Sequence, residues 1–137
     1  MNIAVRYFTR SGNTKKLALA IAEAAGVEAK DVSAPLTEQA DILFLGSSVY
    51  AAGVDDAVKK FLAENHDKIG TLYNFSTAAI ISSTYAQIKK LAAQHGIKVA
   101  DEEYHCRGSF TLMHKGHPDE ADMRQAAAFA KRVLEKK

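Results

Sequence analysis

The spacing of apolar residues switches between strand-like and helix-like periods along the 137-residue chain, and each switch marks an element. Residues 2–8 (Asn-Ile-Ala-Val-Arg-Tyr-Phe) carry the β-branched and aromatic side chains of a strand. A Gly-containing turn follows. Leu17, Ala18, Ile21, Ala22 and Ala25 then recur at helical spacing, and Gly26 is suited to close that helix at C′. A short strand is expected around 27–32, before a loop with Pro35. Residues 41–49 form the most hydrophobic run and suit a strand buried on both faces. Asp55 and Asp56 open a helix with Val58, Phe61 and Leu62 on its inner face, the acids being favourable at its N-terminus. A fourth buried strand is predicted over 76–83, a helix from Tyr85 to Gln94 ended by Gly96, and a fifth strand over roughly 97–105. The last helix is expected to begin at Pro118, with Asp119 and Glu120 in its first turn.

Five strands alternating with four main helices imply an α/β fold, a parallel sheet with helices on both faces. No linker, internal repeat or low-complexity stretch divides the chain, so residues 1–137 read as one domain of ordinary size. At 47% hydrophobic, it can bury a core without disulfides or a structural metal. The lone Cys106 has no partner for an intrachain disulfide, and no Cys/His spacing resembles a zinc site. The N-terminal segment meets a charge at Arg6 after only a few apolar positions, unlike a signal peptide or a membrane span, which points to a soluble protein of a reducing cytoplasm. A net charge of +2 lacks the dense Lys/Arg stripe of a nucleic-acid binder. The pairs Lys15-Lys16, Lys59-Lys60, Lys89-Lys90 and Lys136-Lys137 read as solvated helix faces.

In an open parallel sheet, ligands bind beyond the carboxyl ends of the strands, at the switch point of strand order. The first loop at that edge is Thr9, Arg10, Ser11, Gly12, Asn13 and Thr14, followed directly by a helix. The hydroxyls of Thr9, Ser11 and Thr14 are potential phosphate donors. Gly12 allows a tight turn, and amides at a helix start point at an anion. An ordinary N-cap needs one such residue, whereas four polar side chains crowd this turn, which favours phosphate binding. The loop is neither a Walker A motif, lacking its first Gly and its Gly-Lys-Ser/Thr ending, nor Gly-x-Gly-x-x-Gly.

Thr-x-Ser-Gly-Asn-Thr after the first strand resembles the FMN phosphate loop of the flavodoxins. The run Leu45, Gly46, Ser47, Ser48, Val49, Tyr50 is similar to the flavodoxin strand that leads into the first isoalloxazine loop, and the segment from Gly116 through Pro118 to Asp122 resembles the start of the last flavodoxin helix. The resemblance spans essentially the whole chain, in the short form of the family. It implies a three-layer flavodoxin-like fold, with a five-stranded parallel sheet in the order 2-1-3-4-5. Residue by residue, it implies that Thr9, Arg10, Ser11, Gly12, Asn13 and Thr14 hold the FMN phosphate. Ser48, Val49, Tyr50, Ala51, Ala52 and Gly53 would wrap one edge and face of the ring system, and Ser82, Ser83, Thr84 and Tyr85 would approach the other side. Tyr50 and Tyr85 are the aromatics of those loops and are assigned to stacking, worth about 0.5–1.5 kcal/mol beyond area burial. Packing at the sheet edge is the alternative for Tyr85, which can instead start the third helix.

The implied function is electron transfer between redox partner proteins, a reductase donor and an acceptor enzyme, by a monomer with no catalytic side chain, metal, membrane or nucleic-acid partner. A small FMN-dependent reductase of quinones or flavins is the alternative, although the chain is short for the added lobes such enzymes usually carry. A receiver domain would need an Asp where Gly46, Ser47 and Ser48 stand. Two features depart from the family pattern. The turn that presents a carbonyl to flavin N5–H is often Gly in flavodoxins, but here it reads Ala51-Ala52 before Gly53. Ala entering a left-handed region there costs roughly 1–2 kcal/mol, so weaker stabilisation of the half-reduced flavin is expected unless Gly53 serves instead. Typical flavodoxins are acidic, whereas the segment after the fifth strand carries His105, Arg107, His114, Lys115 and His117. A positive neighbour favours the anionic, fully reduced flavin, so a less negative second potential is expected. Cys106, without a resolving partner, reads as a small buried residue at a strand end.

Overall fold

The computed structural model describes residues 1–9, 12–50, 53–78, 84–107 and 119–136. In chain order the elements are β1 (Ile3–Tyr7), α1 (Asn13–Ala25), β2 (Ala29–Asp31), β3 (Ala40–Tyr50), β4 (Gly53–Val54), α2 (Asp56–Asn65), a 3-10 turn (His66–Lys68), β5 (Ile69–Ala78), α3 (Tyr85–Gln94), β6 (Lys98–Val99), β7 (Tyr104–Arg107) and α4 (Glu120–Glu135). β1 lies between β2 and β3, β5 follows β3, and both β6 and β7 run along the far side of β5, all parallel. β4 alone is antiparallel, against the end of β3. With β6 and β7 as two pieces of one edge strand, this is the 2-1-3-4-5 order.

Burial on both faces explains the apolar run in β3. Leu43 and Leu45 pack under α2 and α3 with Val58, Phe61, Leu62 and Ile88. The alternate residues Ile42 and Phe44 pack under α1 and α4 with Leu17, Ile21, Phe129 and Val133. The layers therefore follow from the strand period of two acting between two helical faces. Helix ends are set by local chemistry. Gly26, at φ 74°, lets the Val27 amide reach the Ala22 carbonyl at 3.0 Å and closes α1. Asp55 caps α2 by accepting from the Ala57 amide at 2.9 Å. Asp119 and Asp122 form a reciprocal capping box on α4, at 3.0 and 2.9 Å.

Boundaries differ from expectation in three places. β5 begins at Ile69, seven residues before the predicted 76, because Gly70 and the buried Asn74 break the apolar pattern without breaking the ladder to β3. The edge strand is interrupted between Val99 and Tyr104, where four residues pass only two of β5. Asp101, Glu102 and Glu103 are poor strand formers, and the Ala100 carbonyl accepts from the Tyr85 hydroxyl at 3.1 Å. α4 begins at Glu120, with Asp119 as its cap rather than within its first turn; Pro118 lies outside the described residues.

Candidate functional site

The carboxyl edge of the sheet is assembled where β1, β3 and β5 end together. β1 hands over to the first loop with the Phe8 amide still bonded to the Gly46 carbonyl at 3.0 Å. The Gly12 amide donates to Thr9 Oγ1 at 3.0 Å, which folds the loop back on itself. Gly12 sits at φ 89° and is the N-cap of α1 without a side-chain cap, so the first turn opens on backbone amides. A Cβ built on Gly12 meets no atom within 4 Å, so the space above this helix end is open. Asn13 and Thr14 form the start of α1 and are both buried. Thr14 Oγ1 lies 2.9 Å from Thr77 Oγ1 on β5. Arg10 and Ser11 lie outside the described residues.

β3 carries Ser48, Val49 and Tyr50 to its end, where Tyr50 pairs with Gly53 and Val49 with Val54. That pairing makes 48–53 a tight reversal; Ala51 and Ala52, between the paired residues, lie outside the described set. Register places Ser48 beside Thr77, so the first and second candidate loops converge on the end of β5. Gly46 pairs with Phe75, and a Cβ at Gly46 would overlap the Phe75 ring. Glycine is required there by the close approach of a fully buried aromatic.

The third candidate segment is described only at Thr84 and Tyr85; Ser82 and Ser83 are outside the described residues. Thr84 is fully buried and bonded to Ser47, Asn74 and Ser76, none of which sequence reasoning had placed in the site. The only available signal was negative: polar residues in the middle of a strand-length segment. Tyr85 opens α3, with its hydroxyl on the Ala100 carbonyl and Lys89 Nζ 5.8 Å from its ring centre. Two residues further on, Gln87 buries Oε1 with no hydrogen-bond partner.

Electrostatics are mixed. Of the basic segment after the edge strand, His105 lies against Glu103, Nδ1 to Oε1 at 3.0 Å, while 108–118 fall outside the described residues. Arg6, the penultimate residue of β1, is buried and donates to the Val5, Ala34 and Pro35 carbonyls at 3.1, 2.9 and 3.2 Å. Burial pushes its pKa below the usual arginine value, with Glu28 acting in the opposite direction.

Together, the strand order and the convergence of three loops at one edge define a doubly wound α/β protein of the flavodoxin-like type. The family pattern of the flavodoxin domain matches residues 4–104, and the chain belongs to this family. It is 28% identical over 135 residues to an uncharacterised protein of Methanocaldococcus jannaschii, covering 89% of this chain and 90% of that one. Its fold matches a flavodoxin from the domain Archaea with a TM-score of 0.80 at 19% identity, covering 99% and 98% of the two chains. It matches oxidised Flavodoxin 1 from Bacillus cereus with a TM-score of 0.75 at 19% identity, covering 98% of each. Among the described residues, no helix is long and apolar enough to cross a membrane.

Proposed function

We propose that this protein binds FMN at the carboxyl edge of its sheet and carries electrons between redox partner proteins as a cytoplasmic monomer. The observation that carries the reading is the start of α1, a helix that opens on backbone amides behind a left-handed Gly12, beside the β3–β4 reversal. Such a terminus is a ready anion site, and the reversal beside it is where a planar ring would lie. FMN, when bound, supplies the one- and two-electron chemistry.

The chain's own residues then divide the work. Thr9, Arg10, Ser11, Gly12, Asn13 and Thr14 hold the phosphate, Thr14 through its amide because its hydroxyl faces Thr77. Ser48, Val49, Tyr50, Ala51, Ala52 and Gly53 cover one side of the ring, with Tyr50 stacked on it. Ser82, Ser83, Thr84 and Tyr85 close the other side.

The test is the visible spectrum of the purified protein. Flavin bands and release of FMN on denaturation are expected; a colourless protein that refuses added FMN overturns the reading. Reduction of the bound flavin by NADPH without any partner protein would instead favour a small FMN-dependent reductase over a carrier.

A further inference from the structure

β5 ends in polar residues that are buried, which is unusual for a central strand. Asn74, Ser76 and Thr77 are 0, 0 and 2% exposed. They leave the strand on both faces of the sheet. On the α2–α3 face, Thr84 Oγ1 accepts from Ser47 Oγ at 3.1 Å and donates to Asn74 Oδ1 at 3.2 Å, with Asn74 Nδ2 3.1 Å away. The Thr84 amide donates to Ser76 Oγ at 3.3 Å. On the α1–α4 face, Thr77 Oγ1 meets Thr14 Oγ1 at 2.9 Å. The fold alone does not call for this arrangement, because apolar residues of the same shape would fill the space at little cost in stability. Hydrogen bonds add direction: they fix where the chain entering α3 and the chain entering α1 sit relative to one strand.

We propose that the polar end of β5 is a two-sided anchor for the cofactor site. Thr84, through Ser47, Asn74 and Ser76, positions the segment that reaches the flavin ring. Thr77, through Thr14, positions the loop that holds the phosphate. Both act as positioning residues, and the inference rests on the FMN reading above. Because the two arms lie on opposite faces, they act on different parts of the ligand and are separable. Riboflavin, which has the ring but no phosphate, separates them.

The experiment titrates apoprotein with FMN and with riboflavin, following quenching of flavin fluorescence, for wild type, Thr84→Val and Thr77→Val. Thr84→Val is expected to weaken both ligands by the same factor, about tenfold (roughly 1.4 kcal/mol), and to shift the visible bands of the bound flavin. Thr77→Val is expected to weaken FMN by a similar factor while riboflavin stays within about twofold. Thr84→Ser and Thr77→Ser, which keep the hydroxyl, are expected to restore wild-type binding and spectra. Should Thr84→Val fail to fold, Ser47→Ala removes one hydrogen bond of the same cluster and carries the same expectation. Equal loss of thermal stability in both Val variants with unchanged affinities would reduce the cluster to a structural role and overturn the proposal. So would identical losses for both ligands in both variants. Wild-type protein that binds neither flavin overturns the underlying FMN reading instead.

Discussion

Replacing Gly12 by Ala isolates the phosphate end of the proposed site from the stability of the fold. Gly12 stands at φ 89° with open space around an added Cβ, so the substitution acts through the backbone alone. An L-residue in the left-handed region costs about 1–2 kcal/mol. Loss of glycine's freedom in the unfolded chain returns about 0.4–1 kcal/mol. The net destabilisation is therefore about 0–1.5 kcal/mol, small against a typical domain stability of about 5–15 kcal/mol. Gly26 is a matched control. It also lies in the left-handed region, at φ 74°, with nothing within 4 Å of an added Cβ, but it closes the other end of α1. Gly26→Ala should lose a similar amount of stability in chemical denaturation.

The two variants should part company on ligand binding. The left-handed turn at Gly12 shapes the start of α1, where the phosphate is proposed to sit, and a charge-assisted hydrogen bond from a backbone amide there is worth about 1.5–3 kcal/mol. Disturbing it in Gly12→Ala is expected to weaken FMN by tenfold or more, since each factor of ten corresponds to about 1.4 kcal/mol. Riboflavin affinity should hold, and Gly26→Ala should bind both flavins as wild type does. Isothermal titration of the apoproteins measures all of these. Equal FMN affinities in Gly12→Ala and Gly26→Ala, with both folded, would refute the assignment of the phosphate to this loop.

Gly46→Ala should destabilise the protein by about 1–3 kcal/mol in urea denaturation, because its Cβ overlaps the buried Phe75 ring; adding Phe75→Leu should recover part of the loss, and additive effects would refute the overlap as the cause. Asp119→Ala removes the side-chain acceptor of the Asp122 amide, one of the two bonds of the α4 capping box, and should cost about 1 kcal/mol by the same measurement. Tyr50→Leu should weaken FMN and riboflavin alike, by the several-fold that about 0.5–1.5 kcal/mol of stacking represents; an effect on FMN alone would count against a ring contact. Raising ionic strength should make the second reduction potential of bound FMN more negative by screening the basic 105–117 segment, and a potential indifferent to salt would remove that segment from the site.

What the sequence discloses depends on how far apart the interacting residues lie. The helix Tyr85–Gln94 was readable to the residue, since its pattern and Gly96 are local signals. The loop at 9–14 stood out because its polar side chains crowd one turn of chain. β5 was misplaced because Asn74 looks like a loop residue until Thr84, ten positions later, is seen to complete it. The Thr14–Thr77 bond spans 63 positions and leaves no trace in local composition. Arg6 is similar: a charged residue within a strand is buried because carbonyls from 34 and 35 arrive beside it. The sequence allows Tyr85 both ring stacking and edge packing, and its hydroxyl bond to Ala100 depends on the break in the edge strand, which no periodicity announces.

The register between β3 and β5 sets how the chemistry changes along the strands toward the edge where FMN is proposed to bind. Rows Leu43–Leu72 and Phe44–Tyr73 are apolar and buried, Leu45–Asn74 brings in the first buried amide, and Gly46–Phe75 presses an aromatic against bare backbone. The next rows, Ser47–Ser76 and Ser48–Thr77, carry hydroxyls on both strands. A strand end that merely reached solvent would be polar and exposed. Ser47, Ser76 and Thr77 are polar and buried, so their hydroxyls are satisfied within the protein and hold a fixed geometry. A buried, hydrogen-bonded polar floor above an apolar core ties down the strand ends from which α1 and the β3–β4 reversal lead. For the proposed flavin, such preorganisation would lower the ordering cost of binding.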